Sequence, residues 1–421
     1  MTAACLTTIA AIVMSHQVAL TAPEGAQDMP RNPRLEVKVG ETRIIMRGAN
    51  YPYLFRFPDG SVVLRADTGG GAAAQIRSAD GGARWAPCPD ILKKDQDGSM
   101  GRLADGTVLT MGQRTVPAEG QPGTYVGDQW VSTDNGATFT GPDPVYVHTP
   151  PIPVGYGDGG TEESNKLRGP IFHGDFIALD SGDLLATMYT NFEEDTKYPK
   201  TGLMYKFRSI LVKSTDRGKH WSYVSTIASM DALGVKDPQV LAQWQDGFDE
   251  PTLALLPDGS LVCAMRTGTY VDETGPTDTY HDLTCTVIKD DGKYYTTGRQ
   301  PCKPLYMAIS TDTGATWSTP TPMETARGAC PRLILLSNGV LALSYGRLAR
   351  PTQGDSIIFS SDGGRTWTNE VAIYRGLSSG YTTMVETAPG RILYVFDAVT
   401  AWGPKYTPDW IGAVDIRVRL K

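Results

Sequence analysis

Residues 78–85 read Ser-Ala-Asp-Gly-Gly-Ala-Arg-Trp, and the pattern they follow, Ser-x-Asp-x-Gly-x-x-aromatic, occurs five times in the chain. Asp and Ser side chains accept hydrogen bonds from nearby backbone N–H groups, glycine allows a positive φ, and the aromatic ring packs over the turn. Each copy is therefore predicted to be a turn between strands. Its aspartate is interpreted as turn scaffolding, because the chemistry recurs in every copy whereas an active site occurs once. The other copies begin at Ser132, Ser214, Ser310 and Ser360.

A second pattern lies upstream of each turn and consists of two apolar strands joined by a short glycine turn. Alternating residues and the glycine predict a hairpin. Four antiparallel strands in each of six consecutive units predict an all-β, six-bladed β-propeller. The sixth unit has no Asp turn, and either Arg34–Val39 or Glu41–Met46 is expected to supply its missing strand, which would remove an exposed sheet edge. The hairpin glycines are Gly60, Gly106, Gly182, Gly259, Gly339 and Gly390.

Composition and length fit one large repeat domain. The 421 residues are 40% hydrophobic and 20% charged, and 46 glycines and 29 prolines suit a chain with many turns. Residues 34–421 are predicted to form this single domain. Residues 1–33 are read as a signal peptide, because residues 3–14 have the size of its apolar core; the alternative is a disordered tail. Secretion or export to the periplasm follows from the first reading.

Charge and cysteine content exclude several kinds of partner. The net charge is −7 and no run of basic residues occurs, so nucleic acid is not an expected partner, and no apolar stretch reaches the length of a membrane span. The six cysteines show no CxxC spacing, and neither a cofactor nor a metal is predicted. Cys285 and Cys302 flank a predicted hairpin turn and could be bridged in an exported protein. The oligomeric state is left open.

The repeat also predicts which residues share a pocket, since the innermost strand of each propeller blade lines the central axis. Charged groups at such positions cost several kcal/mol unless they serve each other or a ligand. We therefore expect the counted positions to contain a functional site. Nine residues before the hairpin glycines lie Tyr51, Asp97, His173, Glu250, Cys330 and Tyr381; seven before lie Tyr53, Ser99, Asp175, Thr252, Arg332 and Thr383; seven or eight after lie Asp67, Arg114, Tyr189, Arg266, Arg347 and Asp397.

Repeated Asp turns of this type on a propeller resemble the sialidase superfamily, and the resemblance spans nearly the whole chain. Its more specific parts are Phe248-Asp-Glu-Pro251, Arg266, Arg347 or Arg350, and Gly380-Tyr-Thr382. The resemblance implies that Glu250 and Tyr381 form a nucleophile pair and that arginines bind the substrate carboxylate. A neutral phenol avoids the repulsion that a carboxylate nucleophile would meet at the anomeric carbon of a sialoside, and sialidases are known for this exception.

Two stretches depart from the sialidase pattern. Where sialidases open their first blade with Arg-Ile-Pro, this chain has Asn50-Tyr-Pro52, so the first clamp arginine is missing. Where they carry the general-acid aspartate, it has Gly69-Gly-Gly-Ala-Ala73, with Asp67 nearby at a different position. Asparagine cannot make the bidentate contact of an arginine with a carboxylate, and glycine or alanine cannot act as an acid.

Three functions are therefore weighed. The first is a sialidase-like exo-glycosidase that removes a terminal acidic sugar from glycans, with Tyr381 as nucleophile, Glu250 as its base, and His173, Asp175 or Asp67 as acid. The second is a uronate-directed lyase in which His173 and Tyr381 carry the chemistry. The third is a propeller that binds carbohydrate without catalysis. The expected substrate-binding residues are Arg266, Arg332, Arg347, Arg114, Tyr51, Asp97 and Tyr189.

Overall fold

The computed structural model describes residues 30–69, 72–88, 99–152, 169–192, 195, 207–230, 247–268, 286–290, 293–297, 304–347, 354–400 and 407–421. Within these ranges the chain is built from β-strands, and no helix long and apolar enough to cross a membrane occurs in them. The all-β prediction is therefore confirmed. Residues 1–29 of the proposed signal peptide, the Cys285–Cys302 pair and Asp97 lie outside the described residues.

The first and last described strands of the chain meet in one five-stranded sheet. In this sheet β1 and β2 both pair antiparallel with β29, at Leu35↔Leu420 and at Arg43↔Ala413 respectively. Both Arg34–Val39 and Glu41–Met46 thus contribute a strand, and the two strands lie one after the other along the same edge of β29. The strands are β1 (Leu35–Val39), β2 (Arg43–Arg47), β27 (Thr383–Ala388), β28 (Arg391–Val399) and β29 (Pro408–Leu420).

The strands between those ends form further sheets. A four-stranded sheet contains β3 (Asn50–Arg56), β4 (Val62–Gly69), β5 (Ala72–Ser78) and β6 (Ala86–Pro87). A ten-stranded sheet contains β7 (Met100–Arg102), β8 (Val108–Met111), β9 (Val116–Pro117), β10 (Thr124–Ser132), β11 (Thr140–His148), β12 (Ile171–Phe172), β13 (Ile177–Ala178), β14 (Leu184–Thr190), β15 (Arg208–Ser214) and β16 (His220–Ala228). It consists of two antiparallel halves joined by a parallel pairing of β11 with β16.

Two more four-stranded antiparallel sheets and one hairpin complete the described strands. The first sheet contains β17 (Gly247–Leu255), β18 (Leu261–Gly268), β21 (Pro304–Ser310) and β22 (Thr321–Arg327), and the second contains β23 (Ala329–Leu335), β24 (Leu341–Arg347), β25 (Gly354–Ser360) and β26 (Thr368–Tyr374). The hairpin is β19 (Thr286–Asp290) with β20 (Lys293–Thr297). The apolar cores lie between neighbouring sheets, as where Phe359 of β25 packs with Phe396 of β28.

The five Ser-x-Asp turns share one hydrogen-bond pattern. In the turn at Ser78, the serine hydroxyl donates to Asp80 (2.9 Å) and accepts the Gly82 N–H (2.8 Å), and Asp80 accepts the Arg84 N–H (2.9 Å). The other four turns repeat these contacts between 2.7 and 2.9 Å. In each turn, the two residues after the aspartate have positive φ. The aspartates are exposed or half-exposed and brace their own turns, as the scaffolding interpretation expects.

The turn glycines also pack against strands of another unit of the repeat. Gly136 lies against Phe57 of the preceding sheet, and Gly82, in the turn after β5, lies against Leu393 of β28. The first sheet thereby contacts the last one. Contacts of the same kind join Gly218 to Leu109, Gly314 to Leu211 and Gly364 to Val262. The turns therefore hold neighbouring units of the repeat together.

We expect Gly136→Ala to destabilise the protein by about 2–5 kcal/mol, measured as a change in the free energy of urea unfolding. A Cβ at Gly136 would overlap the buried Phe57 ring, and φ is +72°. Positive φ costs a non-glycine residue about 1–2 kcal/mol, and overpacking adds about 1–3 kcal/mol. Gly106→Ala is the matched control, since its φ is +85° and nothing lies within 4 Å of the new Cβ. Equal losses in both variants would contradict the packing role of Gly136.

Candidate functional site

Three sheets present a side chain from the same strained backbone position. Tyr51, Glu250 and Cys330 have φ of 52°, 45° and 50°, and the strand register shifts at this point in β3, β17 and β23. Positive φ in a non-glycine residue costs of order 1–3 kcal/mol and is concentrated at functional sites. The repeat therefore turns the same position of three first strands into irregular points where side chains leave the regular pleat.

A tyrosine, a glutamate and an arginine form the central cluster. The Tyr381 hydroxyl donates to Glu250 Oε1 (2.9 Å), and Arg266 Nη1 donates to the same oxygen (2.5 Å). The other carboxylate oxygen, Oε2, accepts the Cys330 N–H (3.0 Å). Three elements supply these groups: β17, its hairpin partner β18, and the segment before β27. We call Tyr381, Glu250 and Arg266 the tyrosine cluster.

The charges of the tyrosine cluster are strongly linked. Burial opposes ionisation of Glu250, which is 5% exposed, but the Arg266 guanidinium and the donated hydrogen bonds outweigh it and hold the pKa of Glu250 well below its usual range. Arg266 would lose charge through burial, but Glu250 and Asp249 raise its pKa. Both groups are thus ionised near neutral pH. The phenol donates to a carboxylate whose own charge is balanced by a cation.

Tyr51 stands beside the phenol of the tyrosine cluster. Its ring meets that of Tyr381 edge to face, with the ring centroids 4.9 Å apart and the planes at 79°. Such pairs are worth about 0.5–1.5 kcal/mol beyond buried area. Tyr51 occupies the stretch where the sialidase pattern has its first clamp arginine, so an aromatic ring stands next to Tyr381 there.

A second cluster lies at the positions seven residues before the hairpin glycines. The Tyr53 hydroxyl donates to Asp175 Oδ1 (2.6 Å), and the Arg332 guanidinium lies 5.8 Å from the Tyr53 ring centroid. Solvent reaches Asp175, but the surrounding protein removes part of its hydration and thereby raises its pKa, an effect that Arg332 and the Tyr53 hydroxyl oppose. These three residues come from β3, β23 and the loop before β13, and we call them the aspartate cluster.

His173 lies within electrostatic range of both clusters. It is 1% exposed, its Nδ1 lies 3.0 Å from the Pro251 carbonyl oxygen, and Nε2 has no hydrogen-bond partner in the described residues. Burial, with the charge of Arg332, lowers its pKa to about 4, although Glu250 opposes this shift. Its ring is therefore neutral at pH 7, with the Nδ1 proton donated to Pro251.

No family model and no curated protein sequence matches this chain, but solved structures do. A protein of unknown function from Dyadobacter fermentans aligns with a TM-score of 0.61 and 20% identity over 91% of this chain and 99% of that chain. An α-L-arabinanase from Penicillium chrysogenum aligns with a TM-score of 0.55 and 16% identity over 90% of this chain and 98% of that chain. The Hadza microbial sialidase Hz136 aligns with a TM-score of 0.53 and 16% identity over 87% of this chain and 65% of that chain. The chain has the sialidase-like fold. At these identities the likeness concerns the fold and not the activity.

Four further predicted site residues belong to neither cluster. Asp67 pairs with Arg65 (3.1 Å) and is about one-third exposed. Arg114 is exposed, and its backbone bridges to Ile171. Tyr189 is buried, with its ring edge-to-face against His173 and Phe207. Arg347 ends β24, and only its backbone is described.

The sequence assigned no role to four further residues beside Tyr381, although Asp397 was among the counted pocket positions. These are Asp355 of β25, Asp397 of β28, and the adjacent Ser378 and Ser379, which share hydrogen bonds beneath the tyrosine. A signal for Asp355 was present in the sequence, because an aspartate stands in the otherwise uncharged stretch of β25. The sialidase resemblance does not mark it, so its position became visible only in the structure.

We expect the neutral state of His173 to make folding less stable in mild acid. Its unfolded pKa is near 6.5 and its folded pKa about 4, so between those values the unfolded chain binds a proton that the folded chain does not. Stability therefore falls as pH drops through this window, by about 3 kcal/mol in total. His173→Asn keeps a donor for Pro251 and removes the titration. Urea unfolding of both proteins from pH 7 to pH 4 should give a flatter profile for the variant, and parallel profiles would contradict the assignment.

Proposed function

We propose that the protein is a sialidase-like glycoside hydrolase on a six-bladed propeller, acting on a terminal acidic sugar of a glycan. Contacts of the Ser-x-Asp turns with other units, including the contact of the first sheet with the last, support this architecture. In it, the ten-stranded sheet supplies two four-stranded blades and the other four large sheets supply one blade each. Closing the ring leaves no long exposed edge. First strands, a hairpin partner and adjoining segments then carry both clusters to the axis, where the glycan would bind.

The contact between Tyr381 and Glu250 carries the proposal. The phenol oxygen attacks the anomeric carbon as its proton passes to Glu250, and the glycosidic oxygen leaves with a proton from an acid. Water then attacks the same carbon and releases the sugar, while Tyr381 recovers its proton. Free tyrosine titrates near pH 10, so Arg266, beside the acceptor oxygen, is needed to offset the negative charge that the phenolate gains. A phenol bound only to water would lack both aids.

Asp175 is the acid that the geometry favours among the three candidates. Asp175 is an exposed residue, and its pKa is raised by loss of hydration, as suits a proton donor. The Nδ1 proton of His173 faces Pro251 and its ring is buried. Asp67 is held by Arg65. Arg332, half-buried next to Asp175, is the cation proposed to pair with the substrate carboxylate.

A panel of aryl glycosides, with acidic and neutral sugars, tests the reaction class. Release of the aryl group and of a free reducing sugar, highest for an acidic glycoside, is expected. Ultraviolet absorbance of an unsaturated uronic acid would instead show a lyase. Binding of glycans with neither signal would leave a non-catalytic propeller and contradict hydrolysis.

We expect Asp175→Asn to slow turnover according to the leaving group. Aglycones that need protonation should lose about 100-fold to 10,000-fold in kcat/KM, and activated aryl groups should lose far less, because general-acid catalysis contributes in that range. Asp67→Asn is the matched control and should leave both substrate classes unchanged. Steady-state rates on two aryl glycosides of one sugar, differing in phenol pKa, give the comparison. Equal losses on both would remove Asp175 from the role of acid.

A further inference from the structure

Two buried carboxyl groups lie side by side behind Tyr381. Asp355 and Asp397 are both 0% exposed, and the Ser378 hydroxyl oxygen lies 3.0 Å from Oδ1 of each. Neither belongs to the tyrosine cluster or the aspartate cluster. Two adjacent carboxylates in a dry environment repel each other, so they do not both ionise at neutral pH.

The hydrogen bonds around Ser378 require one proton on this pair. A serine hydroxyl has one hydrogen and two acceptor sites. Its oxygen already accepts the Gly380 N–H (2.9 Å), and its hydrogen serves one carboxylate only. The contact with the other carboxyl group is favourable when that group carries a proton and donates it to the serine oxygen.

The surrounding donors decide where that proton lies. Asp397 accepts the backbone N–H groups of Ser379 (2.8 Å) and Tyr51 (2.9 Å) and the Ser379 hydroxyl, all of which favour a carboxylate. Among the described residues, the side chain of Asp355 has a hydrogen bond only with the Ser378 hydroxyl, and its Oδ2 has no hydrogen-bond partner. Burial raises the pKa of both groups, but at Asp397 the donated hydrogen bonds oppose the shift, whereas at Asp355 the Asp397 charge adds to it and the pKa lies well above its usual range. Tyr374 and Tyr394, which also face Asp355, have raised pKa values through burial and are uncharged.

We propose that Asp355 carries a proton at neutral pH, that Asp397 is ionised, and that Asp397 thereby positions Tyr51 and Tyr381 against each other. Asp397 binds the Tyr51 N–H directly. It reaches Tyr381 through Ser379, whose hydroxyl donates to Asp397 and accepts the Tyr381 N–H (3.3 Å). One buried charge therefore holds the backbone of both rings. The inference rests on the proposed function only in giving Tyr381 a chemical role.

Infrared difference spectra of Asp355→Asn and Asp397→Asn against the parent protein test the proton. Both substitutions preserve shape, but they change different chemical groups. At pH 7, Asp355→Asn should remove a carbonyl band of a protonated carboxylic acid, and Asp397→Asn should remove the bands of an ionised carboxylate. The reverse assignment, or two ionised groups, would overturn the proposal. This measurement needs no substrate, so its outcome is separate from that of the proposed function.

Fluorine NMR of a fluorotyrosine at position 381, together with turnover, tests the positioning role. Asp355→Asn should leave the resonance unchanged and kcat within about twofold. Asp397→Asn should shift the resonance and lower kcat by about 100-fold, the cost of a misplacement near 1 Å, with KM nearly constant. Ser379→Ala keeps both carboxyl groups and should shift the resonance in the same direction. It therefore tests the positioning role even if Asp397→Asn does not fold. An unchanged resonance in Ser379→Ala and Asp397→Asn, or equal effects of Asp355→Asn and Asp397→Asn, would overturn the role.

Discussion

Tyr381→Phe is expected to reduce kcat on every hydrolysed glycoside by at least about a thousandfold, because it removes the attacking oxygen and leaves the ring in place. The Tyr51 ring would still pack against it, and Glu250 and Arg266 would remain paired. The free energy of unfolding should therefore change by no more than about 1.5 kcal/mol, the net value of one hydrogen bond. Steady-state kinetics and urea unfolding give the two measurements.

The control for this variant is Tyr146→Phe, which removes the same oxygen from a half-buried tyrosine of β11. Its ring stacks on His220, far along the chain from the tyrosine cluster, and turnover should be unchanged. A second check is covalent. A fluorinated acidic glycoside whose bond to the enzyme is hydrolysed slowly should label the parent protein at Tyr381 and should not label Tyr381→Phe. Mass spectrometry of peptides would locate the label. Full activity in Tyr381→Phe would refute the nucleophile assignment.

Glu250→Gln is expected to lower both turnover and stability. The amide no longer accepts the phenol proton, which should reduce kcat about 100-fold to 10,000-fold. It also leaves the Arg266 guanidinium, 19% exposed, without its main counter-charge, and breaking a buried pair from one side costs about 3–5 kcal/mol. Thermal and urea unfolding, with kinetics on the same samples, would show the two losses together.

A double variant separates the charge effect from loss of shape. Glu250→Met with Arg266→Met removes both charges, and it should be more stable than Glu250→Gln, because no unpaired guanidinium remains. It should stay inactive, since neither the proton acceptor nor the cation is present. A double variant less stable than Glu250→Gln would show that the Glu250 and Arg266 side chains matter chiefly through packing.

The tyrosine cluster could be predicted from the sequence because the pattern of strands and turns repeats along the chain. A residue at a fixed distance from the hairpin glycine occupies the same place in every unit, so Glu250 and Tyr381, which are 131 positions apart, were predicted to share a pocket. The same counting placed Tyr53, Asp175 and Arg332 in one layer. It did not distinguish residues that reach the pocket from Tyr189, which is buried against neighbouring rings.

The strand pattern and turn chemistry were local properties, and the sequence alone determined them: alternating apolar residues make each strand, and each Ser-x-Asp turn satisfies its own backbone. Pairings across units depended on the tertiary structure. The phenol of Tyr53 binds Asp175, and Asp397 joins Tyr51 to Tyr381, only because the packing of the sheets brings distant strands within hydrogen-bond reach. The pKa values also depended on the tertiary structure. Burial and a neighbouring charge raise the pKa of Asp355, whereas hydrogen bonds lower the pKa of an exposed turn aspartate such as Asp134, although the residue type is the same.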